Sequence, residues 1–409
     1  MKKTRKSMWD FGESPELKIH RIHAYPAKFP AFITTKAIAY AKKLGVNVQT
    51  VADVFCGCGT TAFESRKAGL NFWGCDINPV ATLIARVKSS TYDLKMVKSY
   101  WQKILADYDM DERGSVENLP ERLDYWFDSE TKGRLARLLF SIRSVVAEGP
   151  YRDFFLCAFS NILKPTSRWL TKSIKPQVDP CKSKVDVRLL FDKQVSFMVD
   201  AVKGADLKDE PRAHIQLKNL LELNDHVRTT DIIVTSPPYV TSYEYADLHQ
   251  LSTLWLGYTT DYRELRNGTI GSVYNATEYR ANEKDIAKSG RAIVLKLKKV
   301  DEHKARTSLR YFVDMNKAVL KCKECLRPGG MIFLVIGDTE YKGVKVKNSI
   351  YLRDCLRNAG FSNVRRTKRR ITGKILTPYR NKKGRFSRSA NAAKKIYAEE
   401  YVLTGRIHG

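Results

Sequence analysis

Short apolar runs rich in β-branched residues alternate with helical stretches at both ends of this chain, and that alternation narrows the fold more than any other feature. VQTVADVF reads as a strand that enters a glycine turn and a helix, and LNFWGCDI as a second strand. Farther on, DIIV is a strand followed by the helical stretches EYADLHQLSTLWLG and RYFVDMNKAVLKCKECL. GGMIFLVIGD is the next strand, NSIYLRDCLRNAGF the next helix, and SNVRRTKRRI with AEEYVLTGRI a closing pair of strands. Parallel strands need crossover connections, and helices supply them, so the pattern predicts an α/β fold with a mainly parallel, doubly wound sheet.

The middle of the chain breaks the pattern. Between Leu94 and Lys208 the periodic segments are helical: Leu135, Leu138, Leu139, Ile142 and Val146 recur near helical spacing, and VRLLFDKQVSFMVDAV repeats the pattern. KPTSRWLTKSIKPQVDPCKSK between them is basic and punctuated by proline, and reads as a loop. The expected organisation is a catalytic domain in two parts, 1–94 and 209–409, with a helical insertion at 95–208 as candidate target-recognition region.

Lys and Arg exceed Asp and Glu by 28 in 409 residues, a charge that suits a polyanionic partner, nucleic acid by default. Between Asp354 and Glu399 there is no acidic residue and there are fourteen Lys and Arg, interleaved with Ile375, Leu376, Tyr379 and Phe386. Such a segment suits contact with a nucleic-acid backbone. No segment approaches the ~20 uninterrupted apolar residues of a membrane span, and no apolar core follows the basic N-terminus. The eight cysteines are scattered, which fits a reduced, cytoplasmic setting. Cys322 and Cys325 have CxxC spacing on a helical pattern without a second pair, so they read as a core face, and no metal is expected.

In VADVFCGCGTTAFESRKAG the strand ends at Asp53, Gly57 and Gly59 follow, and Thr60 and Thr61 open a helix. Glycines there let backbone approach a ligand, and the helix start leaves N–H groups for an anionic group. Asp76 closes the next strand, where a carboxylate can accept hydrogen bonds from ribose hydroxyls. A nicotinamide dinucleotide is an equal reading of the GxG alone. The three-glycine fingerprint is missing, however, and Thr-Thr in its place favours a nucleoside without a pyrophosphate, such as S-adenosyl-L-methionine.

DVFCGCGTT resembles the cofactor motif of the DNA amino-methyltransferases, and TSPPY at 235–239 resembles their catalytic motif. HRIHAYPAKFP resembles the N-terminal segment that folds over the methionine end of the cofactor in this family, and RYFVDM and LRPGGMIFLVIGDT resemble the helix and strand after the catalytic motif. The resemblance implies a Rossmann-like S-adenosylmethionine-dependent methyltransferase fold with an antiparallel closing strand. It implies cofactor contacts from Tyr25, Lys28, Phe29, Phe55 and Ile77 beside Asp53, Gly57, Gly59, Thr60, Thr61 and Asp76. AHIQLKNLLEL departs from the family, offering Lys218 or Asn219 where an acid usually lies near the cofactor adenine.

The run DIIVTSPPY then has a chemical reading. The exocyclic amine of cytosine or adenine is a poor nucleophile because its lone pair is delocalised into the ring. Acceptors that hold its hydrogens free that lone pair for a sulfonium methyl. Ser236 can supply a side-chain acceptor, the carbonyl before or within Pro237-Pro238 a backbone one, and the prolines keep both fixed. Tyr239 is placed to stack on a base swung out of the duplex. Adenine-specific members usually carry Asp or Asn before the prolines, and Ser is typical of N4-methylcytosine formation, so the resemblance favours cytosine. Asp179-Pro180-Cys181 carries the Pro-Cys pair of C5-methyltransferases but follows no apolar strand. The expected partners are double-stranded DNA and a cognate restriction endonuclease. Arg168 and Trp169, the segment 267–304, and Arg380, Lys382, Lys383, Arg385 and Arg388 are the candidate DNA contacts. An adenine-N6 enzyme, a structured-RNA methyltransferase and a silent nucleic-acid-binding homologue are the alternatives.

Overall fold

The computed structural model describes residues 7–11, 15–26, 28–110, 119–240, 245–272, 282–370 and 400–408, with the backbone of 379–380 and 394–395. Its strands are β1 Thr50–Asp53, β2 Asn71–Asp76, β3 Ala213–Leu217, β4 Thr230–Thr235, β5 Leu326–Gly337, β6 Thr339–Tyr341, β7 Val344–Val346, β8 Ser362–Arg369, β9 Tyr379–Arg380, β10 Lys394–Lys395 and β11 Glu400–Arg406. Seven of them form one sheet in the order β3-β2-β1-β4-β5-β11-β8. Strands β1 to β5 pair in parallel, and β11 runs antiparallel to both neighbours. The α/β methyltransferase fold with its antiparallel closing strand is therefore present. The chain order reverses between β1 and β4, and a crevice opens at such a point, beyond the carboxyl ends of the strands.

The middles of the central strands are apolar on both faces, as at Val51-Ala52 and Ile232-Ile233-Val234, because both faces of the sheet are covered. Val51, Ile232, Val234, Phe333, Val335 and Val402 pack on one side with Ile33, Ala37 and Ala62. Ala52, Ile233, Ile332, Leu334, Ile336 and Leu403 pack on the other with Phe312, Met315 and Leu352. The period of two follows from the pleat. The covering helices include α1 Phe32–Lys43, α2 Thr60–Lys67 and α3 Pro79–Lys88. Helix α3 is started by Pro79 at its first turn and by Asn78, whose side chain accepts from the Val80 and Ala81 amides.

The middle region forms α4 Leu94–Met110, α5 Ser129–Val145, α6 Pro150–Thr166 and α7 Val187–Lys203. These helices do not close on a core of their own. Phe154, Phe155, Phe159 and Ile162 of α6 join one cluster with Phe63 of α2, and with Val80, Leu83, Ile84 and Val87 of α3. Each such buried side chain contributes roughly 1.5–3 kcal/mol against exposure. Arg86 and Asp153, 2.8 Å apart, tie α3 to α6. After β4 come α8 Tyr245–Leu248, α9 Gln250–Trp255, α10 Lys288–Lys298 and α11 Glu302–Cys325, and α12 Asn348–Asn358 follows β7. No helix among the described residues is long and apolar enough to cross a membrane.

Candidate active site

The turn after β1 is built around a buried carboxylate. Asp53 accepts from the Thr61 hydroxyl at 2.8 Å, the Thr235 hydroxyl at 2.6 Å and the Phe55 amide at 3.2 Å. This brace joins the ends of β1 and β4 to the first turn of α2. Burial pushes Asp53 up to about 6, against the lowering effect of those donors. Gly57 and Gly59 both have positive φ, 48° and 73°. A Cβ on Gly59 would lie 2.7 Å from the Ala85 Cα, so this glycine lets α2 and α3 approach each other. Gly57 faces the Tyr25 ring, which a Cβ would meet at 3.5 Å.

A cleft opens here, with about 1030 Å³ between its walls and the open mouth. One wall carries Phe55, Gly57, Thr60, Asp76 and Ile77; another carries Tyr25, Lys28 and Phe29 from the N-terminal segment. Lys218, Asn219 and Leu220 line it after β3, Ser236 and Pro238 after β4, and Tyr245, Ala246, Thr269 and Ile270 beyond them. Asp76 accepts from the amides of Gly57 at 2.8 Å and Asn78 at 2.9 Å, and burial raises its pKa. Tyr25 is backed by His249, with ring centroids 5.0 Å apart and planes 23° from parallel. Burial pushes His249 down to about 4, so it is a neutral ring at physiological pH. Lys28 donates to Glu16 at 3.0 Å and to the His20 carbonyl at 2.6 Å, which pins the N-terminal segment against the mouth.

The motif after β4 is held by its polar atoms. The Ser236 hydroxyl donates to the Val335 carbonyl of β5 at 3.0 Å. That bond commits the proton and leaves the lone pairs of Oγ as acceptors. The Pro238 carbonyl accepts from the Tyr311 hydroxyl at 2.8 Å. Tyr239 packs its ring over Gly337 and donates to Glu400 at 3.2 Å, and Glu400 also pairs with the buried Arg369.

A family model described as a DNA methylase matches residues 1–86. The Type II methyltransferase M.MvaI of Kocuria varians is 21% identical over 393 residues, covering 87% of this chain and 84% of that protein. M.AvaI of Nostoc sp. is 23% identical over 391 residues, 84% of this chain and 79% of that protein. M.MjaII of Methanocaldococcus jannaschii is 38% identical over 90 residues, 22% and 16% of the two chains. These matches support the DNA amino-methyltransferase family for this chain. S-adenosyl-L-methionine is its methyl donor. Solved structures that resemble this methyltransferase include an rRNA methyltransferase from Streptomyces viridochromogenes, 10% identical with TM-score 0.30, covering 95% of this chain and 89% of that one. A Methanosarcina mazei methyltransferase is 9% identical with TM-score 0.28, covering 88% and 93%.

The cleft gathers ten of the fifteen expected cofactor and catalytic residues, and Asp53, Gly59, Thr61, Pro237 and Tyr239 are not part of its lining. Asp53 and Thr61 were expected at the cofactor, but they bond to each other behind the cleft wall, and Gly59 serves helix packing. The Pro238 carbonyl, an expected acceptor for the amine, is taken by Tyr311. Trp169 was expected on nucleic acid but is 2% exposed and stacked on Trp126, with centroids 5.0 Å apart. The loop expected around it is present, drawn into a hairpin by a single bridge between Trp169 and Val178, with Arg168 and Lys172 exposed. Cys322 and Cys325 are buried in the core. Among the described residues no group of His, Cys, Asp and Glu could hold a metal. Arg380 lies on β9, whose backbone alone is described, and Lys382, Lys383, Arg385 and Arg388 lie outside the described residues. Sequence reading missed Thr235, His249, Tyr311 and Glu400. Only Thr235 and Tyr311 carried a signal, as parts of TSPPY and RYFVDM.

Proposed function

We propose that this chain is a sequence-specific DNA methyltransferase acting on the exocyclic N4 amine of a cytosine turned out of the duplex. Bound S-adenosyl-L-methionine supplies an electrophilic sulfonium methyl. The residues of the cleft suit that molecule. Asp76 has lone pairs left for ribose hydroxyls, Phe55, Ile77 and Leu220 offer apolar surface to a purine, and Lys28 with the first turn of α2 offers donors to a carboxylate. Tyr25 and Phe29 would close over the methionine end.

The observation that carries the reading is the Ser236 hydroxyl at the cleft wall, its proton committed to Val335. An acceptor fixed in that way can take one amine hydrogen, and the Pro237 carbonyl beside it can take the other. The nitrogen would then pyramidalise, and its lone pair would bond the methyl as the methyl–sulfur bond breaks to leave a neutral thioether. The methylated amine would lose one proton to solvent, with no covalent enzyme intermediate. Tyr239 would stack on the extruded base. Serine before the prolines, as in cytosine-N4 members, supports cytosine over adenine. A restriction–modification setting with a cognate endonuclease is part of the same proposal, supported by the Type II designation of the relatives.

Duplex contact would fall to the Arg168 hairpin and the basic segment holding Arg380, Lys382, Lys383, Arg385 and Arg388. That segment leaves β8 and re-enters at Glu400, which pairs in register with Gly337 under the motif. Both its ends are therefore anchored on the cleft side of the sheet.

The test is methyl transfer from labelled cofactor to unmethylated genomic DNA and to total RNA, with digestion to nucleosides and mass spectrometry. N4-methylcytosine is expected in DNA, and Ser236→Ala should lose about a hundredfold or more in kcat while still binding cofactor. N6-methyladenine would overturn the base assignment, label in RNA alone would overturn DNA as the substrate, and a fully active Ser236→Ala enzyme would overturn the acceptor.

A further inference from the structure

The segment Ser236–Val240 contains two consecutive prolines, so over that stretch it has few N–H groups with which a sheet or helix could hold it. It can be fixed only through side chains and carbonyls. Two of those carbonyls are taken by one helix. Tyr311 donates to the Pro238 carbonyl at 2.8 Å, and Lys304 Nζ donates to the Val240 carbonyl at 2.8 Å. The donors are seven residues apart on α11, two turns along a single face, while the acceptors flank Tyr239. Tyr311 is wholly buried, and its ring lies against Gly271, where a Cβ would come within 3.0 Å of it. Lys304 Nζ also lies 5.7 Å from the Tyr341 ring, which narrows its freedom. Among the described residues no donor reaches the Pro237 carbonyl.

We infer that Tyr311 and Lys304 are positioning residues for methyl transfer. By taking these two carbonyls they fix the peptide plane that follows Pro238 and the one that follows Val240, on either side of the Tyr239–Val240 peptide. The Pro237 carbonyl is then left, with the Ser236 hydroxyl, as the free acceptor pair, and the Tyr239 ring is held at one angle. This inference rests on the methyltransferase reading above. Neither residue touches the reacting atoms, and each acts through the motif. Without the Tyr311 hydroxyl the Pro238 carbonyl can swing, and a displacement of about 1 Å at such a site costs on the order of a hundredfold in rate.

The experiment compares wild type, Ser236→Ala, Tyr311→Phe and Lys304→Met by single-turnover transfer to genomic DNA, with cofactor and duplex affinities measured separately. Tyr311→Phe keeps the ring that packs on Gly271 and removes only the donor. Its kcat should fall by about tenfold or more, with both affinities within about twofold of wild type. Lys304→Met should show the same split in smaller degree. A merely structural role would move affinity and rate together, and that result overturns the inference. So does a Tyr311→Phe enzyme with wild-type kcat. If wild type itself transfers no methyl group, the functional reading falls, which is distinct from either outcome.

Discussion

Asp53 offers a test of the brace beneath the cleft. Its carboxylate is 1% exposed and receives three donors, yet burial raises it to about 6. An unfolded aspartate titrates near ~3.9, so between those values the folded protein holds a proton that the unfolded chain has released. The resulting stabilisation is fully present below the unfolded value and is lost as pH rises through about 6. A gap of about two pH units corresponds to about 3 kcal/mol. Asp53→Asn removes the ionisation and keeps the shape. Its carbonyl can accept from Thr235, and its amide can face Thr61 once that hydroxyl turns to the Val234 carbonyl, 3.3 Å away. Denaturant midpoints of both proteins should be compared across pH 4.5 to 7.5, a window of about three units bracketing the folded value. The variant should gain on wild type as pH rises, by about 2 kcal/mol across this window, with the steepest change near ~5, midway between the unfolded and folded values. Asp76, which burial also raises, is present in both proteins and cancels. Parallel stability curves would refute the claim that Asp53 is a carboxylate held against its will.

Two other substitutions probe the scaffold. Gly59→Ala combines a left-handed backbone with a Cβ 2.7 Å from Ala85, and should cost about 2–5 kcal/mol in a denaturation curve; a loss under about 0.5 kcal/mol would show that α2 and α3 can part freely. Glu400→Gln keeps an acceptor for Tyr239 but leaves the buried Arg369 without its carboxylate. It should cost about 3 kcal/mol of stability and lower kcat, and an unchanged melting curve would dismiss the ion pair as a structural element.

What the sequence disclosed was local. The strands were legible because burial on both faces makes a short run apolar at every position, and Ile232, Ile233 and Val234 are such a run. The glycine turn and the Ser-Pro-Pro-Tyr stop were legible because proline and glycine restrict the backbone wherever they occur. Contacts across the chain were not. Asp53 read as a ligand for the cofactor because an acid after β1 is visible, whereas its true partner Thr235 lies 182 residues away. Trp169 read as a surface aromatic because its neighbours are basic. Nothing in KPTSRWLTK reports that a second tryptophan, Trp126, lies beneath it with its indole N–H on Gln250 at 2.9 Å.

That last contact bears on how the helical insertion serves the cleft. Helix α9 directly follows the α8 residues that line the cleft, and its polar side chains face the insertion. Gln250 holds Trp126, on which Trp169 and the Arg168 hairpin are stacked. Ser252 receives the Ser160 hydroxyl of α6 at 2.7 Å, and Ser160 in turn lies 2.8 Å from His23 of the N-terminal segment. His249, one residue earlier, backs Tyr25. Burial pushes both His23 and His249 well down, to about 3 and about 4, so these contacts stay uncharged across the physiological range. One short helix therefore joins the cleft wall, the N-terminal segment and the base of the exposed hairpin through neutral contacts that salt screens little. The hairpin's base and the residues that position Tyr25 therefore belong to one packed cluster, because the insertion shares its core with α2 and α3.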